Sequence, residues 1–420
     1  MNFAVAILGL AALILIHEAG HFLVARAVGM NPRKFYLGFP PALVKTVRKG
    51  IEYGIGTVPL GGYVKIPGMH RPAAGDVDEL FGPAVRELPG LERALAAVRQ
   101  GLAAEDYETA ARELQGVRAL GAVAGLSPQA AKALERGLTE IGDACAPDAY
   151  WRARTWKRVA VILAGPGANF LVAIALFWLV FTVSYGPATN KISQVGATIA
   201  AKDGREVPSP AAQAGIKPGD RIFSIGGAAT PDGDAVIEAV RASGGKPVRI
   251  VVERGGARLT LGPVAPVLTR YKDETADRWR VGITPAGSGY PVGEAGWRAM
   301  KGIGIVSRET VKSLGNLVHK SGRDQVSSPV GIVRESAKAA SAGWEPYVTL
   351  LAFISLSLGL LNLLPLLPLD GGHIAVSLVE GIRGRAFAKE AYMRISMIGI
   401  AVVLMLFFIG LTNDVGGRGG

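Results

Sequence analysis

Four runs of this chain are apolar almost throughout: Phe3–Val28, Val159–Tyr185, Val348–Leu369 and Ile395–Leu411. Each reaches or approaches the roughly 20 apolar residues that cross a bilayer as a helix. The pattern predicts transmembrane helices over 1–30, 157–185, 347–375 and 392–412. The first run sits where a signal peptide would, but it has no basic N-terminal region and no A-x-A cleavage site, so it is expected to stay attached.

Between these runs the periodicity changes. Over 31–70, β-formers and glycines dominate, with Val44–Val47, Ile51–Val58 and Tyr63–Ile66 as strand candidates, which suggests a membrane-associated β-hairpin region. Its edge could simply pack at the membrane surface, or it could pair with an extended substrate by strand addition. Gly61, Gly62 and Tyr63 are the candidate substrate-binding residues on that edge. From 71 to 150, stretches such as Leu91–Val98 and Tyr107–Leu114 read as soluble amphipathic helices, an insertion of unassigned role.

A folded module is expected over 186–268. A short helix at Ala211–Ala214, the turn Pro218-Gly219-Asp220, the strand candidate after Arg221, a helix at Asp234–Ala242 and strands at Val248–Glu253 and Leu259–Leu261 follow in order. This order resembles a PDZ domain, a fold that takes up extended peptides at a strand edge. A connecting segment, 269–346, follows. The fold class is therefore an α-helical polytopic membrane protein of four transmembrane helices, with a β-hairpin region at the membrane and an extracytoplasmic α/β PDZ-like domain.

Charge adds orientation. The net charge of +12 is not organised as a basic stretch interleaved with aromatics, which argues against nucleic acid. Arg26, Arg33, Lys34, Lys45, Arg48 and Lys49 follow the first run and Arg152, Arg154, Lys157 and Arg158 precede the second, marking the segment between them as cytoplasmic. Both termini and the Gly186–Pro346 loop then lie outside. The single Cys145 has no partner for an internal disulfide and reads as a plain thiol.

The candidate chemistry sits in the apolar runs. His17-Glu18-Ala19-Gly20-His21 is an HExxH motif, whose histidines share a helix face and can hold one Zn²⁺ while Glu18 acts as general base. Ionisable groups at mid-membrane depth cost about 2.5–3.5 kcal/mol each, so a segment that keeps three of them is expected to use them. Catalytic zinc takes three protein ligands. Asp370, in Leu369-Asp370-Gly371-Gly372-His373 after two helix-breaking prolines, is the favoured third; capping of a following helix is its alternative use. His373 is a competing ligand.

Taken together, HExxH in the first span, the Gly61–Lys65 stretch, Ala164-Gly165-Pro166-Gly167-Ala168-Asn169-Phe170, the PDZ-like loop, Ser327–Ile332 and Asn362-Leu363-Leu364-Pro365 with Leu369–His373 resemble the site-2 protease family of intramembrane zinc metalloproteases. The likeness is strongest to the bacterial, PDZ-containing branch that cleaves membrane-bound anti-sigma factors. The resemblance implies that His17, His21 and Asp370 bind zinc, Glu18 is the catalytic base, and Asn362 meets the substrate backbone, with Asn169 a buried polar group nearby. Asn169 could equally be a helix-packing contact with Gly165 and Gly167. It also implies single-span membrane proteins as substrates, with a peptide ligand at the PDZ-like domain as a further partner. The second tandem PDZ unit of some relatives is not evident, and the 71–150 insertion departs from the family pattern. The rival expectation is a PDZ scaffold with structural zinc, which would need His373 as a fourth ligand.

Overall fold

A computed structural model of the chain describes residues 2–122, 125–270, 276–315, 328–387 and 389–415. The chain divides into two compact units, one built from 1–173 and 303–420 and the other from 174–302. Among the described residues, four helices have the length and apolarity to cross a membrane: Phe3–Ala27, Thr155–Val183, Trp344–Asn362 and Ala391–Asp414. Ser327 lies outside the described residues.

In the first unit, α1 (Asn2–Ala27) carries HExxH. Large apolar side chains such as Leu8, Leu23, Leu171 and Phe408 stand exposed, as expected of helices whose solvent is lipid. A hairpin follows, β1 (Lys34–Arg48) and β2 (Ile51–Lys65). Both strands run longer than the sequence pattern suggests, because each is bent and pairs twice: Lys34 lies opposite Glu52 and also opposite Lys65, and Leu37 opposite Ile55 and Gly62. The last stretch of β2, Gly62–Lys65, therefore pairs on one side only among the described residues, leaving an edge.

The insertion forms four helices, α2 (Ala74–Glu87), α3 (Leu91–Ala103), α4 (Tyr107–Ala122) and α5 (Pro128–Cys145). Their own core contains Val77, Phe81, Leu91, Leu95, Val98 and Val117, all fully buried. Ser127 caps α5 by accepting from the Ala130 amide, with Pro128 in the first turn. Burial pushes the Cys145 thiol up to about 11, so it stays protonated. Asp143 of α5 pairs with Lys65 at 2.7 Å and with Arg33 at 3.0 Å, tying the insertion to the base of the hairpin.

After α6 (Thr155–Val183) the second unit holds an antiparallel sheet. Its strands are β3 (Ala188–Val195), β6 (Arg221–Ile225), β8 (Val248–Arg254), β9 (Ala257–Val264) and β12 (Ile283–Gly287), in the order β12-β3-β6-β8-β9, with β7 (Ala228–Ala229) beside β6. Short pairs β4 (Thr198–Ala200) with β5 (Glu206–Pro208) and β10 (Val267–Thr269) with β11 (Arg278–Arg280) flank it. The helices α7 (Pro210–Gln213) and α8 (Gly233–Ala242) complete the unit, α8 being capped by Asp232. Ile216, Ile222, Val236, Ile250 and Val252 form the core.

The remaining helices are α9 (Val292–Gly315), α10 (Pro329–Ala342), α11 (Trp344–Asn362), α12 (Asp370–Arg383) and α13 (Lys389–Val415). Helix α11 stops at Asn362 although the apolar run continues to Leu369. Pro365 and Pro368 supply no amide proton and disfavour helix in the residue before them, so 363–369 turns back before α12 begins.

Candidate metal centre

The helical spacing of His17 and His21 brings their Nε2 atoms to 3.2 Å from one another. Asp370 Oδ2 lies 3.3 Å from the first and 3.4 Å from the second. A tetrahedral ion with bonds of about 2.0–2.2 Å holds its ligand atoms about 3.3–3.6 Å apart, so this triangle has the dimensions of one face of a zinc site. Asp370 Oδ2 is buried with no hydrogen-bond partner among the described residues, which leaves it free for a cation. Asp370 is also not the cap of α12: Leu369 holds that position, and the Asp370 carboxylate turns to the histidines instead. His373 stands outside the three-residue cluster.

Each histidine is oriented from α6. His21 Nδ1 donates to the Val161 carbonyl at 2.8 Å, which puts its proton there and leaves Nε2 bare. The Asn169 carboxamide, fully buried, lies with Nδ2 at 3.1 Å from His17 Nδ1. For His17 to offer the lone pair of Nε2, its proton must sit on Nδ1, and the carboxamide meets that proton when it turns Oδ1 toward the ring. Oδ1 is otherwise a buried acceptor without a partner among the described residues. The Asn169 backbone carbonyl accepts from Ser355 Oγ at 2.9 Å, joining α11 to the same support.

The glycines of this region make room for that geometry. A Cβ on Gly165 would stand 2.2 Å from His21 Nε2, and one on Gly20 would stand 2.3 Å from the Ala164 carbonyl. Gly62 lies as close to Glu18: a Cβ there would meet its Cγ at 2.2 Å. Glu18 is half-buried and faces a cavity of about 540 Å³ that His17, His21 and Asp370 also line. Gly61, Gly62, Tyr63 and Asn362 line the same cavity; Asn169 does not, and acts on it through His17.

Sequence reasoning missed the Val161 carbonyl and the space at Gly165. The first leaves no trace, since any residue supplies a carbonyl. The second had a signal, because Gly165 and Asn169 are four apart and share the face of α6 turned to α1. A buried ion pair between Arg158 and Glu380 was missed too; it fastens α6 to α12 at the far end of the helix that carries Asp370.

The profile of peptidase family M50 matches residues 5–406. A protein of Agrobacterium fabrum named a zinc metalloprotease is 31% identical over 423 residues, spanning 97% of this chain and 94% of its own. One of Rhizobium meliloti with the same kind of name is 32% identical over 419 residues, with the same coverage. An Enterococcus faecalis protein named as the protease Eep is 28% identical over 425 residues, spanning 96% of each chain.

Proposed function

Starting from the fact that this chain belongs to peptidase family M50 and is a membrane zinc metalloendopeptidase, we propose that it hydrolyses peptide bonds in or beside the transmembrane segments of single-span proteins. The observation that carries this reading is the triangle of His17, His21 and Asp370, formed where α1, a helix of membrane-spanning character, meets the first residue of α12. Those three residues hold the metal. Zinc bound there supplies a Lewis acid that polarises a carbonyl and brings the pKa of a water toward about 7.

Glu18 takes the proton of the attacking water and passes it to the leaving amine. The lining of the cavity by Glu18 beside the ligands, without Glu18 joining them, supports that role. Asn169 and the Val161 carbonyl fix the imidazoles in the tautomer that ligates. A helical substrate hides its scissile amide, so it must be drawn out locally. The one-sided pairing of Gly62–Lys65 favours a substrate strand added there, along Gly61, Gly62 and Tyr63, with Asn362, which lines the same cavity, holding its backbone.

Substrates of the anti-sigma-factor kind fit this chemistry. The basic flanks support a reading in which the Arg26–Arg158 connection faces the cytoplasm, in the inner (cytoplasmic) membrane of a bacterium, and water enters from that side. The PDZ-like domain at 186–268 acts as a filter or binds a peptide, and takes no part in the hydrolysis. The test is purified protein in vesicles with a single-span reporter. Cleavage mapped by mass spectrometry to the membrane segment, abolished by a chelator and restored by zinc, is the expected result; cleavage only of soluble peptides would overturn the intramembrane reading.

A further inference from the structure

His373 lines the catalytic cavity but belongs to neither the metal cluster nor the base. It stands three residues after Asp370 in the first turn of α12, so the two side chains share a helix face. That turn is held tightly. A Cβ on Gly371 would stand 2.2 Å from the Leu363 carbonyl oxygen, and one on Gly372 would stand 2.4 Å from the Leu367 amide nitrogen. The His373 ring lies 5.9 Å from Tyr392, a buried side chain that itself packs edge-on to His70 at 4.3 Å. The imidazole is thus fixed in place beside the reacting centre.

Its protonation follows from its surroundings. Nδ1 is buried and has no hydrogen-bond partner among the described residues. A neutral imidazole carries one proton, and an N–H buried without an acceptor costs about 1–3 kcal/mol, so the proton belongs on Nε2, where an acceptor in the cavity can take it. Hydrolysis requires such a donor. As the water oxygen adds to the scissile carbonyl carbon, negative charge gathers on the carbonyl oxygen; when the C–N bond breaks and the amine leaves with the proton Glu18 delivers, that charge is released.

We propose that His373 is a further catalytic residue, donating from Nε2 to the carbonyl oxygen as it takes up charge. The inference rests on the intramembrane protease reading above. It assigns His373 to the developing charge and leaves the edge at Gly61–Tyr63 for the substrate strand.

The test compares wild type, His373→Phe and His373→Gln on the single-span reporter, with zinc content and inhibitor binding measured alongside. The Phe variant keeps ring volume without a donor, and should lose about 100-fold or more in kcat with KM changed by less than about threefold. Zinc content should stay at the wild-type level. A phosphinic peptide, which mimics the tetrahedral state, should bind weaker by a factor similar to the kcat loss, while a small hydroxamate binds as before. His373→Gln, which retains an N–H, should recover part of both losses. Loss of zinc in either variant would make His373 a ligand and overturn the proposal, as would a kcat within about threefold of wild type in His373→Phe. Equal weakening of both inhibitors would reduce it to a structural residue. Should the Phe variant fail to fold, His373→Asn, which is too short to reach, takes its place under the same criteria. A wild type that cannot cut the reporter fails the functional reading itself; a wild type that cuts, with a Phe variant that cuts equally, fails only this inference.

Discussion

At the scale of single residues, the proposed metal centre would depend on atoms that do not touch the metal. Asn169 is the clearest. Replacing it with Ala strips His17 Nδ1 of its partner, and loss of such a support weakens metal binding by about 10–100-fold. Chelator competition on the purified Asn169→Ala protein checks this; unchanged zinc affinity would mean that the carboxamide is only packing. Gly165→Ala should be as damaging, because the new Cβ would overlap His21 Nε2 and the α6 backbone cannot retreat from α1 without opening the Gly20 contact. Cleavage and zinc affinity should fall together. The clustering of His17, His21 and Asp370 was legible because HExxH has a fixed spacing and Asp370 is a lone carboxylate in an apolar run. The support was less legible, since a backbone carbonyl at Val161 carries no residue signature.

Among the elements, the hairpin and the buried ion pair respond to different stresses. In the hairpin, the hydrogen bond from the Tyr36 hydroxyl, then Lys34, pulls the Glu52 carboxyl down to about 2, while burial and that same bond push Tyr36 up to about 12. Because the folded value of Glu52 lies below its ordinary 4.5, the stabilisation is complete above that pH and is lost as pH falls through about 2. The melting-temperature difference between wild type and Glu52→Gln should therefore be constant from neutral pH to about 5 and shrink below it. A difference that persists at pH 2 would contradict the assignment. The ion pair is buried on both sides, with 7% and 5% of the Arg158 and Glu380 side chains exposed. Glu380→Gln strands the guanidinium and should destabilise by about 3–5 kcal/mol, read as a lowered midpoint of thermal or denaturant unfolding. Helices were easier to read from sequence than strands here. Pro40, Pro41 and the glycines of 54–62 broke the alternation and made β1 and β2 look like fragments, whereas in the fold they are the bends that let each strand pair twice.

For the whole molecule, the four apolar helices and the family membership carry the same conclusion from independent directions. The proposed orientation rests on the charge pattern: a cysteine introduced at Lys49 should react with an impermeant thiol reagent only from the cytoplasmic side, and one at Asp232 only from the other. The reverse pattern would move the water supply to the opposite face. The role of the α2–α5 insertion was not legible, because a self-contained apolar core specifies folding and leaves no surface signature of a partner. The central claim is that a metal triangle and a separate base share one cavity inside the membrane. Glu18→Gln tests it most directly, by zinc analysis and reporter cleavage on the same purified protein. Zinc at the wild-type level with cleavage abolished is the expected result; zinc lost with the substitution, or cleavage retained without the carboxylate, would contradict it.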